Sequence, residues 1–218
     1  MTTSNPNDLA SRIESALFAP EAARADVERL CADAIRHSFH AVCLNTSRIE
    51  LAYTLLEGSD VHVVALVGFP LGGTDTDSKR FETETAVDFG AQEIDFVLNV
   101  GRLKDGDHRY VLRELRDVVE AADERPVKVI LETHLLNREQ TILASELAVE
   151  AGARFVCTST DFHAPPVTVE QVKLIRESVG ATFGVKAAGG IGDARTALAL
   201  VEAGATRIGT TVAAELVI

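Results

Sequence analysis

The sequence predicts one (β/α)₈ barrel, an α/β fold, that spans residues 1–218 as a single domain with residues 1–8 as a flexible tail. Three observations predict it. Short apolar runs rich in β-branched residues alternate with longer segments of helical period. The runs are almost continuously apolar, which is typical of parallel strands covered by helices on both faces. No Ser/Pro/Gly-rich tract or block of charge marks a linker, and 218 residues suit one domain. A doubly wound open sheet is the competing architecture.

Eight strands are predicted along the chain. The first is assigned to residues 14–18, although that stretch could equally end a first helix. Seven clearer runs follow, at residues 41–44, 61–67, 93–100, 127–132, 154–158, 182–186 and 206–209. Parallel strands joined by helices take right-handed crossovers, and eight such units close into a barrel.

Seven helices are predicted between the strands, at residues 21–37, 47–57, 76–89, 107–122, 138–151, 169–179 and 193–203. Three of them end in a Gly-Ala pair that leads straight into a strand: Gly90-Ala91, Gly152-Ala153 and Gly204-Ala205. Glycine there supplies the left-handed conformation that turns the chain back towards the sheet. The repeated pair therefore supports helix–strand alternation.

Charge and cysteine content exclude several classes of protein. Acidic residues number 33 against 21 basic residues, a net charge of −12, whereas surfaces that bind nucleic acid or anionic membranes are basic. No run reaches the roughly 18 apolar residues of a membrane span, and the amino terminus lacks the pattern of a signal peptide. Three cysteines without a CxxC pair are typical of a reduced compartment. We expect a cytoplasmic protein with a small-molecule substrate and neither nucleic acid nor membrane as partner.

Charged side chains interrupt the apolar strands at Asp95, Lys128 and Lys186, in a chain with only five lysines. A buried charge is costly unless it is paired, so such residues pair with one another or point into a polar site. Asp95 and Lys128 fall on adjacent strands and are expected to be partners. Burial would lower the pKa of Lys186 and leave a neutral amine for nucleophilic attack or proton transfer. In the alternative, Lys186 lies at the end of its strand, forms a structural ion pair and reaches water.

Glycine-rich loops follow two strands at the end where barrel active sites are built. Gly72-Gly73 follows the third strand, and Gly189, Gly190 and Gly192 follow the seventh. Such loops can present backbone N–H groups to a phosphate, although tight turns need glycine with or without a ligand. No Walker motif appears and no GxGxxG opens a helix, so the usual signatures of nucleotide binding are absent.

Six segments resemble the deoxyribose-phosphate aldolase family in the same order along the chain: residues 67–72 (VGFPLG), 90–95 (GAQEID), 128–133 (KVILET), 158–160 (TST), 184–190 (GVKAAGG) and 203–210 (AGATRIGT). The resemblance runs from about Ile13 to the carboxyl terminus. It implies a (β/α)₈ barrel and class I aldol chemistry, in which a lysine forms a Schiff base with a carbonyl substrate and no organic cofactor takes part. It also implies a homo-oligomer, a dimer or larger.

The resemblance also implies roles for particular residues. Asp95 and Lys186 match the positions of the family's proton relay. Cys43 matches a strand-two cysteine near the pocket. The family's phosphate loops match Gly189-Gly190 and Gly209-Thr210-Thr211.

The resemblance fails where the family carries its nucleophile. Cys157 occupies the position of the Schiff-base lysine, and Asp161 replaces a glycine that helps to cradle the substrate phosphate. Residues 14–16 (ESA) stand where the family has Asp-His-Thr or a similar triplet, and the loop 162–166 lacks the usual glycines. A thiol cannot form an iminium, so the family's chemistry cannot run through Cys157.

Three routes remain open. In the first, Lys186 takes over as the amine of an aldolase, lyase or cyclase. In the second, Cys157 is the nucleophile with its pKa lowered by Lys186, although buried cysteines are more often inert packing. In the third, His134, Asp161 and His163 meet at the mouth and hold a divalent metal as a Lewis acid. In the alternative, His134 and His163 are solvated loop residues or hydrogen-bond partners of the substrate.

We therefore expect a carbon–carbon lyase, an aldolase acting on a small aldehyde or sugar (phosphate). Asp161 would repel a phosphate dianion, which favours a substrate less anionic than deoxyribose 5-phosphate, or a shifted pose. The alternatives are another carbonyl reaction (cyclisation or isomerisation, assisted by Cys157 or a metal) and an inactive barrel with a binding role. The catalytic candidates are Lys186, Asp95, Cys157 and Lys128. The substrate-binding candidates are Thr160, Asp161, Gly189, Gly190, Gly209, Thr210, Thr211, His134 and Cys43; no cofactor or metal ligand is assigned.

Three further residues receive structural interpretations. Cys31 is expected to pack on the apolar face of a helix. His40 flanks the entry to a strand with nothing nearby to complete a set of metal ligands. Glu132, at the end of the fifth strand, is expected to stabilise the mouth of the barrel.

Overall fold

Eight parallel strands pair in chain order and close into a barrel in the computed structural model, which describes residues 9–217. The strands are β1 (Ile13–Leu17), β2 (Ala41–Asn45), β3 (His62–Val67), β4 (Glu93–Val97), β5 (Val127–Ile130), β6 (Phe155–Cys157), β7 (Gly184–Ala188) and β8 (Arg207–Thr210). The (β/α)₈ fold is confirmed, and the open sheet is wrong because β1 pairs with β8. The predicted tail at residues 1–8 lies outside the described residues.

Eight α-helices surround the barrel in the described part of the chain. They are α1 (Arg24–His37), α2 (Ile49–Leu55), α3 (Thr76–Asp88), α4 (Val100–Lys104), α5 (His108–Ala121), α6 (Arg138–Glu150), α7 (Val169–Val179) and α8 (Ala194–Glu202). Short 3₁₀ turns lie at Thr46–Arg48, Thr133–Leu135 and Ala213–Leu216. Within residues 9–217, no helix is both long and apolar enough to cross a membrane.

The helix ends follow the local sequence signals. Polar side chains accept a hydrogen bond from a first-turn amide at the start of six helices: Asp75, Asn99, Asp107, Asn137, Thr168 and Asp193. Gly90, Gly152 and Gly204 adopt φ of 98°, 87° and 115°, as the Gly-Ala pairs predict. The short α4 was not predicted. The apolar run 93–100 reads as one strand, but Asn99 accepts a hydrogen bond from the Arg102 amide at 3.1 Å and begins the helix.

Strand β7 lies two residues further along the chain than predicted. It runs from Gly184 to Ala188, so Lys186 is central in the strand and only 4% exposed. A side chain at Gly184 would put Cβ 2.1 Å from the Phe155 ring, so the strand begins where glycine admits that ring. The alternative in which Lys186 reaches water from a strand end is therefore wrong.

The inside of the barrel is more polar than the layer around it. Between strands and helices lies one large apolar core that includes Val42, Leu44 and Phe96. Two much smaller apolar clusters lie apart from it: Ala41, Cys43, Val64 and Leu66 in one, and Val97, Ile130, Cys157 and Ala188 in the other. Five buried charged side chains accompany them: Glu14, Glu93, Asp95, Lys128 and Lys186. These charges build the candidate site.

Candidate active site

A network of buried ion pairs centres on two lysines. Lys186 Nζ lies 2.5 Å from Glu14 Oε2 and 2.5 Å from Asp95 Oδ2. Lys128 Nζ lies 2.9 Å from Asp95 Oδ1 and 2.6 Å from Glu93 Oε2. The predicted partnership of Asp95 and Lys128 is confirmed. Asp95 contacts both lysines, so it couples the two halves of the network.

Strand register brings these residues together. Asp95 on β4 pairs directly with Lys128 on β5, and Cys157 on β6 pairs with Lys186 on β7. Directly paired residues of neighbouring strands point to the same side of the sheet. Gly209 on β8 makes room for the longer side chain, because a Cβ there would lie 2.7 Å from Lys186 Cε.

The network reverses the expected shift in the pKa of Lys186. Burial alone would lower that pKa, but the carboxylates of Asp95 and Glu14 outweigh burial and raise the pKa of Lys186 well above its ordinary value. Burial likewise opposes ionisation of Asp95, yet Lys128 and Lys186 hold the pKa of Asp95 below its usual range. The expectation of a lowered pKa for Lys186 is therefore wrong, because the carboxylates of Asp95 and Glu14 both contact its ammonium. The resting site holds Lys186 as an ammonium.

Cys157 lies in an environment that disfavours a thiolate. Burial raises the pKa of Cys157 to about 12, although the positive charge of Lys186 acts in the opposite direction. Its thiol donates to the backbone oxygen of Ser159 at an Sγ–O distance of 3.4 Å. The prediction that Lys186 lowers the pKa of Cys157 below its ordinary value is wrong. The geometry agrees with the alternative of a cysteine that packs.

A pocket opens above the ion pairs at the carboxyl ends of the strands. Seven of the predicted site residues line it: Cys43, Asp95, Thr160, Asp161, Lys186, Gly209 and Thr210. Its free volume is about 20 Å³, enough for roughly one water molecule. Among the described residues, Lys186 is the lysine that lines this pocket.

Aromatic side chains form one side of the mouth. Phe18 and Phe69 line the pocket, and their ring centroids lie 5.3 Å apart. Phe162 stands 6.3 Å from Phe18 and 6.1 Å from Phe69, and it remains 36% exposed. The three rings give the entrance an apolar rim.

Asp161 contacts one of the loops expected to bind phosphate. Its Oδ1 accepts a hydrogen bond from the Gly190 amide at 2.7 Å. Asp161 adopts φ of 62°, a left-handed conformation that favours glycine. Burial raises the pKa of the Asp161 carboxyl, against the opposing effect of the Gly190 amide. A carboxylate of the chain itself therefore engages an N–H group that would otherwise be available to an anionic ligand.

The remaining predicted residues lie elsewhere around the mouth. Lys128 is fully buried below the pocket, and Thr211 lines a separate cleft beside α1. Gly189 lies in the loop after β7, where its carbonyl accepts a hydrogen bond from the Val167 amide at 2.9 Å. His134 is exposed, with Nδ1 3.4 Å from Glu132 Oε2.

Glu132 is placed as expected of a residue that stabilises the mouth. Its Oε1 accepts a short hydrogen bond from the Thr160 amide. It thereby joins the ends of β5 and β6 below the aromatic rim.

The donor atoms of His134, Asp161 and His163 do not form a metal-binding group. Across the described residues, the one cluster of histidine, cysteine and carboxylate side chains with suitable spacing is His40, His62 and Glu93. The expectation that the mouth histidines meet around a metal is therefore wrong. So is the interpretation of His40 as isolated, since residues from two other strands complete its surroundings.

Two residues of the ion-pair network were not identified from the sequence. In the sequence, Glu14 stands out only as part of a departure from a family motif, and Glu93 does not stand out. Both lie in apolar strands, which is the same signal that identified Asp95. Applied to every strand, that signal would have found them.

Comparison with known proteins agrees with this architecture. A family model described as DeoC/LacD family aldolase matches residues 3–213. The deoxyribose-phosphate aldolase of Bdellovibrio bacteriovorus is 50% identical over 202 residues, which cover 93% of this chain and 92% of that protein. The structure of a putative deoxyribose-phosphate aldolase from Coccidioides immitis superposes with a TM-score of 0.94 at 32% identity, covering 98% of this chain and 85% of that one. The Aeropyrum pernix deoxyribose phosphate aldolase, described as tetrameric, gives 0.92 at 32% identity, with coverage of 99% and 92%.

Proposed function

The chain belongs to the DeoC/LacD family of aldolases, enzymes that make or break carbon–carbon bonds, and we propose that Lys186 is its reactive amine. Class I aldol chemistry needs an amine that can reach a carbonyl carbon. The observation that carries the proposal is that Lys186 is the lysine lining the mouth pocket in the described part of the chain. Lys128 is sealed below it, and Lys79 is buried against Glu114 between helices.

The proposed reaction follows from an amine in this position. Lys186 Nζ adds to the carbonyl carbon of the substrate, and loss of water gives an iminium. The hydroxyl on the β carbon then loses its proton, and the bond between the α and β carbons breaks as its electron pair moves towards the iminium. The β carbon leaves as an aldehyde, and an enamine remains on Nζ. Protonation of the enamine carbon followed by hydrolysis releases the second carbonyl product and restores the amine. Asp95 Oδ2, 2.5 Å from Nζ, is placed to accept and return the protons.

The ion pairs around Lys186 determine how readily its ammonium loses the proton that the proposed reaction requires it to lose. The ammonium of Lys186 must lose a proton before it can attack, and both carboxylates beside it favour the charged form. We therefore propose a slow aldolase at neutral pH whose rate rises as the solution becomes more alkaline. Lys128 holds Asp95 in place through the 2.9 Å contact, and Cys157 leaves space beside Lys186 without adding a second amine.

The charges around the mouth favour a substrate that carries little negative charge at its far end. Asp161 engages the Gly190 amide and would lie close to a phosphate bound in that loop. Two like charges about 4 Å apart repel by roughly 1 to 4 kcal/mol at the dielectric constants of water and of a protein surface. The apolar rim of Phe18, Phe69 and Phe162 adds no compensating cation. We propose an unphosphorylated hydroxyaldehyde or sugar as the preferred substrate.

Paired substrates test this proposal. Cleavage of deoxyribose and of deoxyribose 5-phosphate is followed by release of acetaldehyde, with kcat and KM measured for each. We expect a higher kcat/KM for deoxyribose in the wild type and a relative gain for the phosphate in Asp161→Gly. Asp161→Asn removes the negative charge but keeps a hydrogen-bond acceptor for the Gly190 amide. It therefore distinguishes charge repulsion of the substrate phosphate from competition for the Gly190 N–H group. A wild-type preference for the phosphate would overturn the substrate assignment, and turnover retained in Lys186→Met would overturn the amine.

We also propose a homo-oligomer of two or more copies in a reducing cytoplasm. Leu71, between β3 and α3, is 83% exposed, and Phe81 on α3 is 71% exposed. Association would cover these apolar side chains, as exposed apolar groups at interfaces commonly are. The cysteines Cys31, Cys43 and Cys157 are buried free thiols, which suits a reducing compartment. Light scattering tests the assembly: we expect a mass of at least two chains, and a smaller mass for Phe81→Arg.

A further inference from the structure

Two histidines and a glutamate meet at the base of the barrel, opposite the mouth. His40 immediately precedes β2, His62 opens β3 and Glu93 opens β4. The three amino ends are neighbours in the sheet, and the His62 amide donates to the His40 carbonyl at 2.9 Å. Barrel active sites lie at the carboxyl ends of the strands. This cluster therefore lies at the opposite end of the barrel from the aldolase pocket, and within residues 9–217 it is connected to the ion-pair network only through Glu93 Oε2 and Lys128.

The donor atoms of the cluster already have the spacing of metal ligands. His40 Nε2 lies 2.9 Å from Glu93 Oε1, and His62 Nδ1 lies 3.1 Å from the same oxygen. All three atoms lie within 4.8 Å of one another. Tetrahedral ligands at about 2.0–2.1 Å from a zinc ion are themselves separated by roughly 3.3 Å. An ion could contact all three atoms after small side-chain movements.

The three side chains of the cluster differ in solvent exposure. The side chains of His40 and Glu93 are 17% and 5% exposed, whereas that of His62 is 42% exposed. The two imidazole rings lie with centroids 4.9 Å apart and planes tilted by 50°. An ion could enter from solvent beside His62, and water could complete its coordination there.

The charge around the cluster permits a cation. Lys128 Nζ lies 2.6 Å from Glu93 Oε2 and is the cation nearest to that carboxylate. Lys128 is itself balanced by Asp95 at 2.9 Å and Glu14 at 3.4 Å. Glu93 Oε1 faces away from this pair towards the two histidines, so its negative charge is available to an ion on that side.

We propose that His40 Nε2, His62 Nδ1 and Glu93 Oε1 bind one divalent transition-metal ion of the zinc type at the base of the barrel. Imidazole nitrogen with carboxylate oxygen suits Zn²⁺ or Co²⁺ rather than Mg²⁺ or Ca²⁺, which take oxygen ligands. The ion joins the amino ends of β2, β3 and β4. Because these strand ends belong to the stabilising face of the barrel, its role is structural.

Cobalt and zinc titrations of protein without an affinity tag test the site. We expect one Co²⁺ per chain with the visible absorption of a four- or five-coordinate ion. We expect Zn²⁺ at a hundredfold excess over its Kd to raise Tm by about 5–10 °C. His62→Ala should abolish both effects. Because the His62 side chain is 42% exposed, we expect this variant to keep the fold. His108→Ala, which removes an exposed histidine at the start of α5, should change neither.

Two results would overturn the site. One is the absence of any Co²⁺ spectrum or Zn²⁺-dependent rise in Tm in the wild type. The other is binding that survives in His62→Ala and His40→Ala, or that shows thiolate-to-cobalt charge transfer and so uses a cysteine. Neither result bears on the aldolase assignment, because the metal does not enter that reaction.

Discussion

Lys186 and Cys157 are adjacent across β6 and β7, and together they decide what chemistry the barrel can perform. The thiol cannot form an iminium and has a pKa of about 12, so it supplies neither the expected Schiff base nor a ready nucleophile. The amine is present but held as an ammonium by Glu14 and Asp95. In the proposed reaction, catalysis through Lys186 is therefore limited by deprotonation of its ammonium.

Restoring a lysine at Cys157 should accelerate the reaction. The introduced amine would lie beside the Lys186 ammonium. Because like charges disfavour each other, the positive charge of Lys186 would lower the pKa of the introduced lysine. Each unit of decrease gives about tenfold more neutral amine, so we expect Cys157→Lys to raise kcat at pH 7 by about 100-fold. Cys157→Ala is the matched control and should leave kcat within a few-fold of the wild type. No gain in a folded Cys157→Lys protein would indicate that the site is defective beyond this one position.

The pH dependence of turnover reports on the carboxylates around Lys186. The reactive form is the neutral amine and its pKa is raised, so kcat/KM should increase from pH 7 to pH 10, by about tenfold per unit. Glu14→Gln removes one of the two carboxylates that raise the pKa, so the rise should move to lower pH and the rate at pH 7 should increase.

Several groups face Lys186 and enter this balance. Besides Glu14 and Asp95, Cys43 and Cys157 also raise the pKa of Lys186 once their thiols are ionised. Glu146→Gln, at an exposed position on α6, is the control and should leave the profile unchanged. A bell-shaped profile centred near neutral pH would contradict a raised lysine pKa.

The sequence identified Asp95, Lys128 and Lys186 as charged strand residues, but not Glu14 or Glu93, and it did not predict the direction in which the pKa of Lys186 shifts. Asp95 and Lys128 fall on consecutive predicted strands, so their contact can be predicted from the order of the strands. Glu14 lies 172 residues from Lys186 in the chain, and the contact exists only because β1 closes the barrel next to β8. A shift that depends on barrel closure cannot be derived from the local pattern around Lys186.

One buried ion pair connects helices α3 and α5 beside strands β3 and β4. Lys79 on α3 and Glu114 on α5 are fully buried, with Nζ 2.9 Å from Oε1. Lys79 also donates to the carbonyls of Gly72 and Val97 at 2.7 and 3.1 Å. The ammonium therefore ties two helices to the loop after β3 and to the end of β4. Helical spacing alone did not single out either residue.

Removing one member of this pair should be costly. Glu114→Gln leaves the Lys79 ammonium buried without its anion, so the free energy of unfolding should fall by about 3–5 kcal/mol. Urea denaturation measures the change. Glu150→Gln breaks the exposed pair with Arg116 and should cost less than about 1 kcal/mol. Equal losses in the two variants would show that Lys79 contributes no more than a surface ion pair.

Helix and strand types were predictable, whereas some boundaries were not. Periodicity and the Gly-Ala pairs located seven helices and seven strands, whereas residues 14–18 were left open between a strand and the end of a helix; the structure has a strand there. The start of β7 depends on the Phe155 ring packing against Gly184, and α4 depends on one side-chain cap at Asn99. Both are contacts that hydrophobic patterning does not record.

The whole barrel encloses charges where an apolar filling would be expected. Burial opposes ionisation of Glu93 and Asp95, but Lys128 holds the pKa of both carboxyls below their ordinary values. A group with a lowered pKa stabilises the fold above its unfolded pKa and loses that contribution as pH falls through the folded value. The ordinary pKa values of a glutamate and an aspartate, 4.5 and 3.8, stand for the unfolded chain.

Stability should therefore decline in acid and be flat near neutrality. We expect the free energy of unfolding to be nearly constant from pH 6 to pH 8 and to fall progressively below pH 4.5. Urea titrations across this range measure it, with Glu93→Gln as the variant in which the acid-dependent part is smaller. A free energy that does not change down to pH 3 would contradict an ionised network inside the barrel.

The central claim is that Lys186 forms the Schiff base, and borohydride trapping tests it most directly. The protein is incubated with acetaldehyde or deoxyribose at pH 9, reduced, digested and mapped by mass spectrometry. The account predicts one reduced adduct, on the peptide containing Lys186, and its loss in Lys186→Met. The exposed Lys104 and Lys173 in the same digest serve as internal controls for non-specific modification. Turnover without an adduct, or an adduct confined to another lysine, would contradict the account.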